Sequence, residues 1–273
     1  MWIRFYLIFL FYFQILNAAL IDTIQIKSKA MNIIPNAIIV TPDSYQNDDS
    51  SRYPVVYLLH GWSGNYLNWH QKSNLGLLAD QYNLIIVCPD GGYAGWYINS
   101  PLIKESQYET YIANEVVEFI DKHYRTKNNM NNRAICGLSM GGHGAIRLIS
   151  IYPQKFTAAG SMSGVMDLTE SSQRYGIINL LGNYETNKDK WISYSCLNIV
   201  KKLAGKNKSI IIDCGVDDRF IQSNRKIHQI MLELNIYHDY YERPGGHSWE
   251  YWINALDYHI MYFSKVFYKN RTN

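Results

Sequence analysis

The chain has 273 residues, of which 47% are hydrophobic and 18% are charged. This hydrophobicity excludes an intrinsically disordered chain. A net charge of +3, spread along the whole chain, excludes the basic footprint of a nucleic-acid-binding protein. A chain of this length buries roughly three quarters of its unfolded surface on folding, so we expect a sizeable hydrophobic core.

The N-terminal residues 1–18 have the pattern of a signal peptide. Arg4 supplies a positive charge, an apolar run follows over 5–16, and Ala18-Ala19 supply small residues for cleavage. The run is short for a transmembrane helix, although an uncleaved anchor is the alternative. We therefore predict an exported protein, periplasmic or extracellular if bacterial, whose mature domain covers 19–273. No later run of 18 apolar residues occurs, so we predict no stable membrane insertion after cleavage.

The four cysteines predict buried thiols rather than disulfides or a metal site. Cys88, Cys136 and Cys214 end apolar runs typical of core strands, where cysteine behaves as a small hydrophobe. No CxxC spacing and no Cys/His cluster occurs, so we predict no metal.

Apolar runs typical of strands alternate with helical patterns along the mature chain. This alternation predicts the α/β class, with a mostly parallel sheet between two helical layers. The longest interruption, 169–208, predicts a small cap-like insertion. The predicted strands are 36–40, 53–60, 84–88, 134–137, 156–162, 209–213 and 237–242, and the predicted helices are 107–124, 141–151, 221–234 and 249–267.

The segment Gly137-Leu138-Ser139-Met140-Gly141 predicts a nucleophile elbow. It follows a predicted strand and opens a predicted helix, which is the context that a G-x-S-x-G motif requires. The small flanking residues let the strand and the helix approach each other closely. Ser139 is therefore the predicted nucleophile.

A serine nucleophile needs a histidine base, and His247 is the best candidate. It follows Pro244-Gly245-Gly246, a flexible loop between the last predicted strand and the last predicted helix. His143 lies on the helix that the elbow begins and cannot fold back onto Ser139. The other downstream histidines, His228, His238 and His259, lie inside predicted helices or strands.

The acid that orients the histidine should follow the preceding strand, because sites of parallel sheets gather at the carboxyl ends of strands. That strand ends at Asp213, and the next loop carries Asp217 and Asp218. Gly215 predicts a turn that aims one of the two loop carboxylates at His247. Adjacent side chains tend to point to opposite sides, so only one of them can reach it.

Two backbone N–H groups are predicted to form an oxyanion hole. One belongs to Met140, directly after the nucleophile, and the other to Trp62, in the His60-Gly61-Trp62-Ser63 loop after a strand. We interpret His60 itself as a residue that braces this loop.

Aromatic side chains near the predicted site suggest a binding surface for sugars or aryl groups. The loop at 91–97 follows a strand and should lie at the catalytic rim, with Trp96 available for stacking and Tyr93 beside it. Trp249, next to the histidine loop, is a third candidate. The alternative is that these rings pack inward, as many aromatic residues do.

Together these motifs resemble the esterase D / antigen 85-like branch of the α/β-hydrolases. YPVVYLLHG, the Pro-Asp-Gly-Gly-Tyr run at 89–93, GLSMGGHGA, CGVDD and GGHSWEYW occur in that order. The resemblance extends over about 21–267 and implies a three-layer α/β-hydrolase sandwich. It implies a triad of Ser139, Asp218 and His247, since the family acid lies three residues after the glycine.

The branch includes feruloyl and acetyl-xylan esterases, tributyrin-type esterases, S-formylglutathione hydrolases and mycolyltransferases. The loop at 60–63 departs from the acidic-Gly-Leu-Arg loop of mycolyltransferases, which favours the hydrolases. We therefore expect an exported serine carboxylesterase without a cofactor, acting on a small-molecule or oligosaccharide ester, feruloyl or acetyl on plant polysaccharide. The alternatives are an acyltransferase of the mycolyltransferase type, an S-formylglutathione hydrolase and a non-catalytic carbohydrate-binding protein.

Overall fold

The computed structural model describes residues 18–171 and 174–272. The predicted signal peptide therefore lies outside the described residues, except for Ala18. Within the described ranges, no helix combines the length and the apolar character that crossing a membrane would require.

One eight-stranded sheet runs through the described part of the chain, in the order β1-β2-β4-β3-β5-β6-β7-β8. β1 and β2 are antiparallel to their neighbours, and β3 to β8 are parallel. The near-continuous apolar strands at the centre are buried on both faces, which is why they lack alternation. The strands are β1 (Leu20–Gln25), β2 (Asn36–Thr41), β3 (Val55–Leu59), β4 (Ile85–Pro89), β5 (Arg133–Leu138), β6 (Ala158–Met162), β7 (Ser209–Gly215) and β8 (His238–Arg243).

Helices cover both faces of the sheet, each over its own hydrophobic cluster. The helices are α1 (Ser44–Asn47), α2 (Asn68–Lys72), α3 (Leu75–Tyr82), α4 (Tyr108–Thr110), α5 (Val117–His123), α6 (Met140–Ile151), α7 (Ile177–Leu181), α8 (Lys188–Tyr194), α9 (Cys196–Ile199), α10 (Ile221–Glu233) and α11 (Trp249–Thr272), with a π-helical turn at Tyr111–Val116 and 3₁₀ turns at Met130–Asn132, Leu168–Ser171 and Val200–Leu203. α3 and α11 pack on one face, and α5, α6 and α10 pack on the other. The predicted three-layer α/β architecture is confirmed.

The structure adds elements that the apolar pattern does not indicate. β1 is mostly exposed and pairs only with β2 at the edge of the sheet, so it carries little apolar signal. α2 and α3 lie between predicted strands, in a stretch for which the pattern predicts no helix. The four cysteines are free and buried, which confirms the prediction of core thiols.

The segment at 169–208 contains short helices rather than a second core. Trp191 of α8 is fully buried in the same hydrophobic cluster as the helices over the sheet, as are Ile177 and Leu181 of α7. We call this segment, 169–208, the cap segment, and it contributes Tyr175 to a cavity above the predicted nucleophile.

Candidate active site

Ser139 occupies a strained turn between β5 and α6. Its backbone has φ 53° and ψ −115°, a conformation that L residues rarely adopt. The turn is tight because Gly141 presses against the end of β3, where a Cβ would lie 2.5 Å from the carbonyl oxygen of Leu59. Glycine at this position lets strand and helix meet, and the turn lifts the Ser139 hydroxyl above the carboxyl edge of the sheet.

Three side chains from distant parts of the chain meet in one line of hydrogen bonds. His247 Nε2 lies 3.0 Å from Ser139 Oγ, and His247 Nδ1 lies 2.8 Å from Asp218 Oδ2. The imidazole is held edge-on between the rings of Phe220 and Trp252, at centroid distances of 5.2 and 4.8 Å. This arrangement suits the transfer of a proton from a hydroxyl to an imidazole that a carboxylate orients.

The two acidic residues in the loop after β7, Asp217 and Asp218, differ in burial. Asp218 is 2% exposed and hydrogen-bonds His247, whereas Asp217 is exposed. Burial by itself raises the pKa of Asp218, but the hydrogen bond and charge of His247 and the N–H of Phe220, 2.9 Å from Oδ1, outweigh burial and lower it. The carboxylate therefore remains ionised beside the imidazole.

The acid loop and the histidine loop are joined along their backbones. The N–H of Val216 donates to the carbonyl of Arg243 at 2.9 Å, and that of Asp217 donates to the carbonyl of Gly245 at 3.0 Å. A Cβ on Gly215 would lie 2.2 Å from Gly245 O, so only glycine allows this approach. Gly215 does not have positive φ. Its carbonyl accepts from the N–H of Asp218 at 3.0 Å, so Gly215 begins the turn that the sequence predicts, and its lack of a Cβ also allows the close contact between the two loops.

A buried ionic network lies beneath the histidine loop. The carboxylate of Asp213, fully buried two residues before the end of β7, contacts both the partly exposed Arg243 guanidinium and the Tyr251 hydroxyl. Burial raises the pKa of Asp213, and the hydrogen bond from Tyr251 and the charge of Arg243 oppose that rise. Because Arg243 ends β8 and Tyr251 lies in the first turn of α11, the network connects the two flanks of the loop that carries His247.

The predicted oxyanion donors lie next to Ser139. Met140 begins α6, and a Cβ on Gly61, the residue before Trp62, would lie 3.6 Å from Ser139 Cβ. Among the described residues, no backbone hydrogen bond uses the N–H of Met140 or of Trp62. His60 braces the loop, as expected: its Nδ1 lies 2.8 Å from Gly61 O, and its Nε2 accepts from the N–H of Gly91 at 2.8 Å.

A cavity of about 430 Å³ opens above Ser139. This volume is within the usual range of small-ligand sites. Besides the catalytic candidates, the cavity walls combine aromatic and apolar side chains with about as much polar surface. The principal wall residues are Trp62, Val165, Tyr175, Phe220, Trp249 and Trp252.

The three predicted substrate-binding residues have different positions. Trp249 lines the cavity. Tyr93 is 63% exposed and pairs with the Trp62 ring at 5.2 Å, at the outer edge of the site. Trp96 also belongs to the cavity lining, but little of its ring is available for stacking. Trp96 is only 1% exposed, because its ring packs edge-on against His143 and its Nε1 donates to the carbonyl of Tyr175.

Sequence reasoning missed residues that shape the cavity. Arg219 and Phe220 directly follow Asp218, so proximity to the acid was a usable signal for both. Tyr175 comes from the cap segment, which shares no motif with the site. The sequence marks Asp213 only as a candidate acid. Its partners Arg243 and Tyr251 cannot be recognised from the sequence as partners, because only long-range packing brings them to Asp213.

Comparison with known proteins places the chain in a family. The family model described as "Putative esterase" matches residues 28–263. An acetyl esterase of Caldicellulosiruptor saccharolyticus is 28% identical over 240 residues, which cover 82% of this chain and 89% of that protein. An esterase of Mycobacterium tuberculosis is 27% identical over 250 residues, covering 82% of this chain and 54% of that protein.

A solved structure of a ferulic acid esterase has a TM-score of 0.79 and 28% identity, covering 91% of this chain and 98% of the other. The region matched by the family model includes Ser139, Asp218 and His247. The chain therefore belongs to this esterase family of the α/β-hydrolase fold, and it is a carboxylic ester hydrolase.

Proposed function

We propose that this hydrolase uses Ser139 as its nucleophile, His247 as its general base and acid, and Asp218 as the carboxylate that orients the histidine. The observation that carries the proposal is the unbroken line of hydrogen bonds, 3.0 Å from Ser139 Oγ to His247 Nε2 and 2.8 Å from Nδ1 to Asp218 Oδ2. Both distances are within the range of a working nucleophile and base.

In the proposed reaction, Ser139 Oγ attacks the ester carbonyl as its proton moves to His247 Nε2. The charge on the carbonyl oxygen is stabilised by the N–H groups of Met140 and Trp62, which are free of backbone acceptors in the described chain. His247 then gives the proton to the leaving alcohol. Asp218 holds the imidazole in the required tautomer and stabilises the imidazolium. Water, activated by His247, hydrolyses the acyl-enzyme.

We further propose an exported enzyme that acts on feruloyl or acetyl esters of plant polysaccharide. The signal-like residues 1–18 support export. The ring-lined cavity of about 430 Å³ suits an aryl or sugar group, because Trp and Tyr combine an apolar body with a polar tip. The names of an acetyl esterase and a ferulic acid esterase among relatives at 28% identity support the same substrate class.

The test compares Ser139→Ala with Ser248→Ala, a serine that lines the same cavity. Ser139→Ala should lower kcat by about 10⁴-fold or more and abolish labelling by a fluorophosphonate, with the fold intact by circular dichroism. Ser248→Ala should still be labelled. Labelling of Ser139→Ala at another serine would contradict the assignment.

The substrate is tested with feruloylated and acetylated xylo-oligosaccharides, short acyl esters and acyl-glutathione. Product analysis with and without an added oligosaccharide acceptor distinguishes hydrolysis from acyl transfer. A preference for acyl-glutathione would contradict the polysaccharide proposal.

A further inference from the structure

One positively charged side chain stands in the wall of the cavity. Arg219 is exposed, lines the cavity directly after the acid residue Asp218, and forms no ion pair within the described residues. Other arginines of the chain do have carboxylate partners: Arg243 contacts Asp213, and Arg147 contacts Glu109 at 2.6 Å. The guanidinium of Arg219 therefore retains its capacity to bind an anion.

Two aromatic rings hold this guanidinium at the cavity. The Arg219 guanidinium carbon lies 5.6 Å from the centroid of the Tyr175 ring and 5.2 Å from that of Phe220. Both distances are within the range of cation–π attraction. Phe220 contacts His247, and Tyr175 contacts Trp62, each at a centroid distance of 5.2 Å. Arg219 is therefore linked on one side to the general base and on the other to the oxyanion loop.

The described walls of the cavity carry no competing negative charge, since none of the lining residues is an aspartate or a glutamate. Asp218 is buried beneath the imidazole and already accepts from His247 and Phe220, so it offers nothing to Arg219. A guanidinium in a wall of rings and small polar groups attracts an anionic group and binds a carboxylate in bidentate fashion.

We propose that Arg219 is a specificity-determining residue that selects esters carrying a carboxylate a few bonds from the scissile carbonyl. This inference rests on the proposed function of the same cavity and adds the charge of the substrate. The carboxylate can belong to the acyl group or to the alcohol, such as a uronic acid sugar, and the two pairs of esters in the experiment distinguish these cases.

The experiment measures kcat/KM for matched pairs of anionic and neutral esters. On the acyl side, 4-nitrophenyl hydrogen adipate is compared with 4-nitrophenyl hexanoate. On the alcohol side, 4-acetoxybenzoate is compared with its methyl ester. The ratio of anionic to neutral kcat/KM is determined for the wild type, Arg219→Gln, Arg219→Lys and Lys202→Gln. Lys202 is an exposed cation that does not line the cavity, so its variant controls for loss of surface charge.

Arg219→Gln should lower the ratio about tenfold for at least one pair, because the lost interaction is charged but partly screened by water. Arg219→Lys keeps the charge but loses the bidentate geometry, so it should give a ratio between those of the wild type and Arg219→Gln, and Lys202→Gln should leave the ratio unchanged. Raising the salt concentration should lower the wild-type ratio and leave that of Arg219→Gln unaffected. The pair that responds identifies the side of the ester that carries the carboxylate.

An equal loss with anionic and neutral esters would show that Arg219 only supports Tyr175 and Phe220, and would overturn the proposal. Unchanged kcat/KM for all four esters in Arg219→Gln would also overturn it while leaving the esterase function intact. If the wild type hydrolysed none of the four esters, the proposed function itself would fail. These outcomes separate failure of the inference from failure of the function.

Discussion

The floor and the rim of the cavity are built in different ways. The floor consists of Ser139, Asp218 and His247, which lie at or after strand ends and are joined by hydrogen bonds of 3.0 and 2.8 Å. The rim consists of Trp62, Tyr93, Tyr175 and Arg219, which come from loops and the cap segment. Rim residues contact each other through ring edges and cation–π approaches rather than hydrogen bonds.

In the proposed mechanism, the floor performs the reaction and the rim selects the substrate. The floor is held by close backbone packing at Gly141 and Gly215 and by the buried carboxylate of Asp213. Changes there disturb either the reaction or the fold. The rim contributes little to the core, so its side chains can change with the substrate while the reaction stays the same. Substitutions in the two regions should therefore differ in both the kind and the size of their effects.

The largest effect is expected from Asp218, the proposed catalytic carboxylate. Asp218→Asn should lower kcat about 10⁴-fold, the scale of loss found for the orienting aspartate of chymotrypsin-like proteases, because the amide favours the wrong imidazole tautomer and removes a counter-charge. Asp217→Asn should cost less than about tenfold, since an exposed charge contributes about 0–1 kcal/mol. Steady-state kinetics of the two variants checks this, and a larger loss in Asp217→Asn would mean that Asp217, not Asp218, is the catalytic acid.

Loss of Arg243, the partly exposed cation that pairs with the buried Asp213, should destabilise the fold. Arg243→Met leaves Asp213 buried without its ionic partner, which should lower the free energy of unfolding by about 3–5 kcal/mol. Arg225→Met is the matched control, because the Arg225–Glu242 pair is exposed and should contribute at most about 1 kcal/mol. Urea unfolding of both variants measures the difference, and equal losses would mean that the network does not support the loop.

Two buried histidines should make the fold sensitive to acid. Burial lowers the pKa of His143 and of His259 to about 3. His259 has no hydrogen-bond partner for either ring nitrogen among the described residues. Below about pH 6.5 the unfolded chain binds protons that the folded chain cannot, so stability falls as the pH falls toward about 3.

At about pH 5.5 the loss should reach about 1.4 kcal/mol per histidine relative to about pH 7.5, and above about pH 6.5 the curve should flatten. His259→Leu removes one of the two groups and should reduce the loss by about 1.4 kcal/mol. Urea unfolding at the two pH values compares this variant with the wild type. If His259→Leu kept the pH dependence of the wild type, His259 would not be a source of the loss of stability at low pH.

The smallest effect is expected at the rim. Trp62→Ala keeps the backbone N–H but removes the exposed ring, so it should raise KM for feruloylated xylo-oligosaccharide about two- to tenfold. It should change KM for 4-nitrophenyl acetate less, because that ester does not reach the rim. Michaelis–Menten kinetics with both esters checks this. Equal effects on the two esters would remove the sugar-binding role of the ring.

The elements that carry continuous apolar runs could be predicted from the sequence. β3, β5 and β7 lie within one or two residues of their expected bounds, because full burial demands such runs. Helices α6 and α10 do so because apolar residues recur along their buried sides. β1 could not be predicted, since an exposed edge strand needs few apolar residues. The direction of the Trp96 side chain also could not be predicted, because a Gly-rich loop can point a ring either into the core or toward the solvent.

By itself, the sequence determined the α/β class, the elbow at Ser139 and the late position of His247, because local periodicity and chain order carry that information. The structure then showed that Asp218 is buried and Asp217 is exposed, a difference that the hydrophobic pattern of the sequence does not reveal. The tertiary structure alone brought Asp213, Arg243 and Tyr251 together and placed Tyr175 beside Arg219. Such groups come from segments far apart in the chain, and only the packing of β7, β8, α11 and the cap segment decides that they meet.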